Sequence, residues 1–278
     1  MALLGRRLPP GTLANLVGED PHDDNPKPRF APPERVDYSD FAAGRVFRGL
    51  PGHPAFPVRL ADEILQRVLA LFQDRGGRPP VTLYDPLCGG AYLLATLGYL
   101  HWPSLKRLVG SDLDPDALAL AARNLGLLGA AGLAERVAQL NTLQSLYGKE
   151  SHAEALTSAR RFQERRAFLA RSHSIETTLF QADATNPGDL ELNLGGTSVD
   201  LVITDVPYGR SSTWLDGTAG TVEPAGQIDR LLTALLPLLS PGAVVAVASD
   251  KGQRPGHASY QRLGKIQVGI RRVVFLGL

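Results

Sequence analysis

Val81-Thr82-Leu83-Tyr84-Asp85-Pro86-Leu87-Cys88-Gly89-Gly90-Ala91-Tyr92, residues 81–92, is the stretch whose reading decides the fold. A β-favouring run ends in an acidic residue and a proline, two glycines follow, and an apolar helical segment begins. Strand, tight loop, helix start is the order by which a doubly wound α/β sheet holds a nucleoside-containing ligand at its carboxyl edge. Glycine at the bend lets the backbone approach a ligand that a side chain would hold off. A buried strand before a glycine-rich turn is common, so the stretch takes its meaning from a second one, Thr204-Asp205-Val206-Pro207-Tyr208-Gly209, in which Asp205 follows Asp85 by 120 residues.

Working outward, strands and helices alternate. Val58–Phe72 places Leu60, Ile64, Leu65, Val68, Leu69 and Phe72 at helical spacing, and Gly76-Gly77 and Pro79-Pro80 end that helix. Strands are expected at 81–84, 107–111, 175–182, 199–204 and 243–248, with a closing pair within 264–276. Helices are expected at 92–100, 116–125 and 228–239. A short β-like piece is read at Gly44–Arg48. The pattern predicts a mostly parallel seven-stranded sheet covered on both faces. Residues 127–175 break the alternation. There Leu156, Ala159, Phe162 and Leu169 make an apolar stripe, with Arg160, Arg161 and Arg165 off it, so a helical appendage with a basic face is expected. Residues 1–34, rich in proline and charge, are expected to form a loosely docked tail ahead of a single domain spanning 35–278.

Composition narrows the class. A hydrophobic fraction of 44% is that of a soluble globular chain. Cys88 is the one cysteine, which excludes an internal disulfide and suits a reducing compartment. No apolar run is long enough to cross a bilayer and no secretory signal is read, so a cytoplasmic location is expected. The net charge is +1, yet residues 251–278 hold six basic residues and no acidic one, and residues 127–175 hold seven basic against four acidic. A local surplus of that kind is compatible with a polyanionic partner, as it is with ordinary solvated surface.

The acidic strand ends carry the chemistry. Asp112 ends the second expected strand, about twenty residues past the glycine loop, where a carboxylate can accept both hydroxyls of a ribose. Asp114, just before Pro115, suits a helix N-cap, and Leu113 is placed against an adenine face. Asp183, followed by Ala184, ends the third strand and faces the same crevice. Asp205 ends the fourth. Its carboxylate and the backbone carbonyl of Pro207 can both accept from a nitrogen bearing hydrogen, and Tyr208 offers a flat face for a base. Holding such a nitrogen in line with a methyl donor is chiefly a positioning task. The first loop lacks Gly-x-Gly-x-x-Gly, which counts against a dinucleotide.

Asp85-Pro86-Leu87-Cys88-Gly89-Gly90-Ala91 and Asp205-Val206-Pro207-Tyr208-Gly209 resemble the Asp-Pro-x-Cys-Gly-Ser-Gly and Asn/Asp-Pro-Pro-Tyr motifs of S-adenosylmethionine-dependent N-methyltransferases. Gly52-His53-Pro54-Ala55-Phe56-Pro57-Val58-Arg59-Leu60-Ala61, Tyr92-Leu93-Leu94 and Asp183 narrow the resemblance to the AviRa-type avilamycin-resistance ribosomal RNA methyltransferases, over Val36 to about Arg272. It implies a Rossmann-like class I methyltransferase fold, S-adenosylmethionine as cofactor and a guanine of large-subunit ribosomal RNA as target, with resistance to orthosomycin antibiotics. It also implies that Phe56, Pro57 and Arg59 border the methionine end of the cofactor. Asp85, Pro86, Cys88 and Gly89 are expected at its loop, and phosphates on Arg160, Arg161, Arg165, Arg271 and Arg272. Two positions depart from the motifs. Ala91 stands where the family has glycine, which strains the loop if that residue needs a positive φ and favours it if it already begins the helix. Val206 replaces the first of two prolines.

Other readings of the same residues stay open: transfer to an adenine or a protein glutamine, an RNA-binding factor with a decayed pocket, and an NAD-linked oxidoreductase. Cys88 has no partner acid for nucleophilic work, and the six histidines show no metal-ligand spacing, so no metal is expected. A monomer is expected.

Overall fold

The computed structural model describes residues 37–49, 55–207 and 224–278. The expected tail 1–34, Gly52-His53-Pro54 and Tyr208 lie outside them. In chain order the elements are α1 (Val58–Asp74), β1 (Val81–Asp85), α2 (Tyr92–Leu100), β2 (Leu105–Asp112), α3 (Pro115–Gly126), α4 (Ala130–Tyr147), α5 (Glu150–Leu169), β3 (Glu176–Gln181), α6 (Pro187–Leu194), β4 (Val199–Asp205), α7 (Pro224–Leu235), β5 (Leu239–Asp250), β6 (Gln261–Val268) and β7 (Arg271–Gly277).

The strands form one seven-stranded sheet in the order β3-β2-β1-β4-β5-β7-β6. The first five run parallel, and β7 and β6 close the edge antiparallel. All five residues of β1 are buried, and β4 and β5 are nearly so, because a parallel strand covered on both faces needs apolar side chains on both. One apolar cluster joins α1, α2, α3 and the insert to one face, with Leu83, Leu108 and Ile203 of the sheet in it. A second joins α6 and α7 to the other, through Tyr84, Val202 and Val245. Strands are added to one side of β1 as far as β3 and to its other side from β4 onward, and this reversal of strand order makes the carboxyl ends of β1 and β4 the topological switch point where α/β sheets bind ligands.

Local chemistry explains most boundaries. Asp114 caps α3, accepting from the Asp116 N–H at 2.9 Å, with Pro115 at the first helical position. Asn186 and Pro187 start α6 in the same way, a helix not expected from the apolar pattern. The helix expected at 228–239 begins at Pro224 and hands over at Leu236 to a 3₁₀ turn holding Pro237, whose ring removes the donor an α-helix needs. The β-like piece at Gly44–Arg48 is corrected: it is a turn, closed by the Gly44 N–H onto the Phe47 carbonyl at 2.8 Å. Its apolar residues serve packing instead of pairing. Val46 and Phe47 are fully buried, and Phe47 meets Phe41, Tyr92, Tyr99 and Phe162 in an aromatic cluster.

The insert is two helices, α4 and α5. Of the stripe read from sequence, Ala159 and Phe162 are buried and Leu156 and Leu169 partly so, with Ala155 buried beside them. Arg136 of α4 is buried and donates to the carbonyls of Val46 and Arg45 at 3.1 and 2.8 Å, and Ser158 of α5 donates to Asp40 at 2.6 Å. At α1, Asp62 accepts from Tyr38 at 2.6 Å and Gln66 at 3.0 Å and pairs with His101 at 2.6 Å. Burial works against the Asp62 charge, but those bonds outweigh it and hold its carboxyl down at about 2. No single helix among the described residues is long and apolar enough to cross a membrane.

Candidate active site

The loops after four strands, β1, β2, β3 and β4, lie along the carboxyl edge of the sheet. In the first, Asp85 is buried, its Oδ1 accepting from the Leu87 N–H at 3.2 Å. Burial pushes its carboxyl up to about 7, and the nearby Asp112 and Asp205 add to the rise. The Pro86 carbonyl accepts from Ser111 at 3.2 Å, and the Cys88 N–H donates to the Ser111 carbonyl at 2.8 Å, stitching the loop to β2. Burial raises the Cys88 thiol well above its ordinary value, so the sulfur is inert packing beside the loop.

Gly89 takes φ +50°, a conformation glycine adopts without steric cost. Ala91 takes φ +51° and ψ +28° at the start of α2. Of the two readings of that position, the strained one holds: this alanine sits in the left-handed region, at a cost of about 1–2 kcal/mol. The Gly89 N–H donates to Asp112 Oδ2 at 2.8 Å and the Asp114 N–H to Asp112 Oδ1 at 3.0 Å. One carboxylate thus orients both loops, and each oxygen keeps acceptor capacity for a ligand hydroxyl. Leu113 is half-buried beside it, its carbonyl accepting from Gln181.

At the end of β3, Asp183 Oδ1 accepts from the N–H and hydroxyl of Thr185 at 2.9 and 2.8 Å, a local turn, and Ala184 is buried. At the end of β4, Asp205 Oδ1 is buried and has no hydrogen-bond partner among the described residues. Burial lifts this carboxyl to about 6, against the pull of the Arg271 guanidinium. The Val206 N–H donates to the Ala248 carbonyl at 2.9 Å, and the Pro207 carbonyl accepts a long bond from Gln253 at 3.4 Å. Phe56 is buried before α1, while Pro57 and Arg59 are exposed.

The arginines divide differently from the sequence reading. Arg271 does not stand out toward phosphates. Its guanidinium lies 5.3 Å from the Phe56 ring centroid, close enough for its charge to act on Asp205. Arg272 donates to the Gln253 carbonyl at 3.0 Å. Arg165 is exposed, as helical spacing places it, but its guanidinium has local partners, donating to the Tyr99 carbonyl at 3.1 Å and lying over the Phe41 ring. A long side chain can reach partners beyond its own helical face, which spacing alone does not register. Arg161 is exposed and pairs with Asp40, and Arg160 is exposed. The sequence reading also missed Gln253 and the Arg271–Phe56 contact. The available signal was the closing antiparallel pair, which returns Arg271 to the carboxyl edge opposite Asp250. Among the described residues no cluster of three His, Cys, Asp or Glu side chains is placed to hold a metal ion.

Asp112 held by a loop amide, a left-handed Gly89 and the buried Asp205 Oδ1 without a partner among the described residues thus share one edge of the sheet. The family model described as rRNA methyltransferase AviRa matches residues 29–271. A 23S rRNA (guanine(2535)-N(1))-methyltransferase of Streptomyces viridochromogenes is 42% identical over 243 residues, 87% of this chain and 93% of that protein. Two solved structures of rRNA methyltransferase AviRa from the same organism are 40% identical, with a TM-score of 0.77, over 88% of this chain and 94% of theirs. The chain belongs to the AviRa family of rRNA methyltransferases.

Proposed function

We propose that this chain transfers a methyl group from S-adenosylmethionine to ring N1 of a guanine in 23S rRNA. The observation that carries the reading is the buried Asp205 Oδ1 without a hydrogen-bond partner among the described residues, at the same sheet edge as Asp112. Guanine N1 carries a hydrogen and shows no in-plane lone pair until that hydrogen leaves. A carboxylate raised to about 6 by burial is a stronger proton acceptor than an ordinary aspartate and is still ionised at neutral pH. Asp205 Oδ1 accepts the N1 proton, the Pro207 carbonyl orients the base edge, and Tyr208 stacks on the ring. Gln253, by donating to the Pro207 carbonyl, fixes the direction in which that oxygen faces.

S-adenosylmethionine, when bound, supplies the electrophilic methyl group. Asp112 holds its ribose, Leu113, Asp183 and Ala184 border its adenine, and Asp85, Pro86, Cys88 and Gly89 shape the loop beneath it. Phe56, Pro57 and Arg59 border its methionine end. The target base leaves its stack to reach Asp205. Arg160 and Arg161 contact phosphates of a large-subunit rRNA, the enzyme acts as a monomer in the cytoplasm, and the modification confers orthosomycin resistance. The left-handed Ala91 is the feature that favours a decayed pocket. Its cost of about 1–2 kcal/mol is too small to prevent the loop from forming.

The test is transfer from labelled S-adenosylmethionine to protein-free 23S rRNA, with the modified base identified by mass spectrometry. A single 1-methylguanine is expected. Label on the exocyclic amine, on adenine or on protein would overturn the assignment. Cofactor binding without transfer would move the substrate to an assembled particle.

A further inference from the structure

We propose that the tip of the β6–β7 hairpin, Val268-Gly269-Ile270, is an RNA-contact element that enters the base stack beside the target guanine. The inference rests on the reading above that the substrate is an RNA guanine. Val268 and Ile270 are 51% and 59% exposed, two branched apolar side chains on a turn where polar residues are the rule. Register fixes where they stand. Asp205 lies opposite Ala248 of β5, and Arg271 opposite Asp250, two residues further on. The tip therefore projects at the same carboxyl edge as Asp205, about 7 Å or more beyond it along the strand direction.

The tip is also firmly joined to the pocket. The Lys251 N–H donates to the Ile270 carbonyl at 2.9 Å, fastening the turn to the end of β5. Gly269 takes φ +60°, which lets the two-residue loop close tightly. Arg271, the next residue after the tip, is the one over Phe56.

Its surroundings are positively charged. Lys251, Arg254 and Lys265 are exposed and make no ion pair among the described residues, and no acidic residue lies between 251 and 278. The insert is mixed, since Lys149 and Arg160 are exposed without an ion pair among the described residues while Arg161 pairs with Asp40 and Arg165 and Arg166 donate to backbone carbonyls. An apolar point within an unpaired cationic field fits a polyanion whose interior is apolar, which describes stacked RNA. Two side chains bury far less than the roughly 800 Å² per partner of a stable protein interface, but they suffice to fill one base step. A base that leaves its stack opens a gap of that size, at a cost of a few kcal/mol. Val268 and Ile270 filling the gap would recover part of that cost.

The test is a Val268→Ser, Ile270→Ser double variant of the full chain. Transfer is measured on an rRNA hairpin with the target guanine stacked, and on the same hairpin with that guanine bulged out. A fall in kcat/KM of about 10- to 100-fold is expected on the stacked RNA, with near-normal transfer to the bulged RNA. Leu192→Ser, which removes an 83%-exposed apolar side chain on α6, should leave both unchanged. An equal loss on both RNAs, or no loss on either, would overturn the wedge alone. Failure of the unaltered chain on both RNAs would overturn the guanine reading and this inference together.

Discussion

Asp205→Asn should raise stability while removing activity. Asparagine matches the protonated acid in shape and burial, so the comparison isolates the cost of ionising a carboxylate that has no hydrogen-bond partner on one oxygen among the described residues. That carboxyl sits at about 6 in the folded protein. The gap from an ordinary aspartate's roughly 3.9 corresponds to about 3 kcal/mol. The folded value is the higher one, so the native state binds the proton more tightly. The penalty is absent below about pH 4, grows as pH rises toward about 6 and is complete above it. At pH 8 the variant should be more stable by about 3 kcal/mol, a rise in Tm of about 6–12 °C for a chain of this length, and the gain should vanish near pH 4. Methyl transfer should fall by about 10²- to 10⁴-fold with cofactor binding retained. Thermal unfolding across that pH range, paired with a transfer assay, measures both. An unchanged or lower Tm at pH 8, or a gain of equal size at pH 4, would refute the reasoning.

Ala91→Val should cost at least about 3 kcal/mol, because a β-branched residue is forced into the left-handed region at a fully buried position, and denaturant unfolding reads it directly. Asp62→Ala should destabilise by about 1–2 kcal/mol at pH 7. Because the carboxyl is held at about 2, wild-type and variant stabilities should converge as pH falls from about 4 toward 2 in acid titration of unfolding. Arg165→Ala should lose about 1–3 kcal/mol of stability without altering the salt dependence of RNA binding. Arg160→Glu with Arg161→Glu should do the reverse, weakening RNA binding and flattening its salt slope in filter-binding titrations.

The parallel centre of the sheet was legible because β1, β4 and the second half of β5 are largely apolar runs that end in Asp85, Asp205 and Asp250. Asp85, Asp112 and Asp205 are brought close enough that the charges of the latter two bear on Asp85. Asp114-Pro115 announced its helix, and Asn186-Pro187 announced another that the weakly periodic Leu190 and Leu194 concealed. Gly44–Arg48 misled because a buried turn and a strand draw on the same residues, and only the aromatic cluster around Phe47 distinguishes them. Arg165 and Arg271 misled for a different reason. Spacing fixes the face from which a side chain leaves, while its terminal group is steered by acceptors and rings far off in the sequence, Tyr99 and Phe41 for one and Phe56 for the other.

The bonds between residues 37–49 and the insert set a lower limit on the working length of this enzyme. A chain trimmed to begin at α1 would leave Arg136 with buried donors and no carbonyls to receive them, and would leave Asn124 without Arg48, whose N–H and carbonyl it bonds at 2.8 and 2.9 Å. A chain with α4 and α5 excised would expose Val46, Phe47 and Phe41 to water. Shortening from either side breaks the same clasp, so a minimal catalytic fragment must keep both, and grafts between family members must exchange the two segments as a pair.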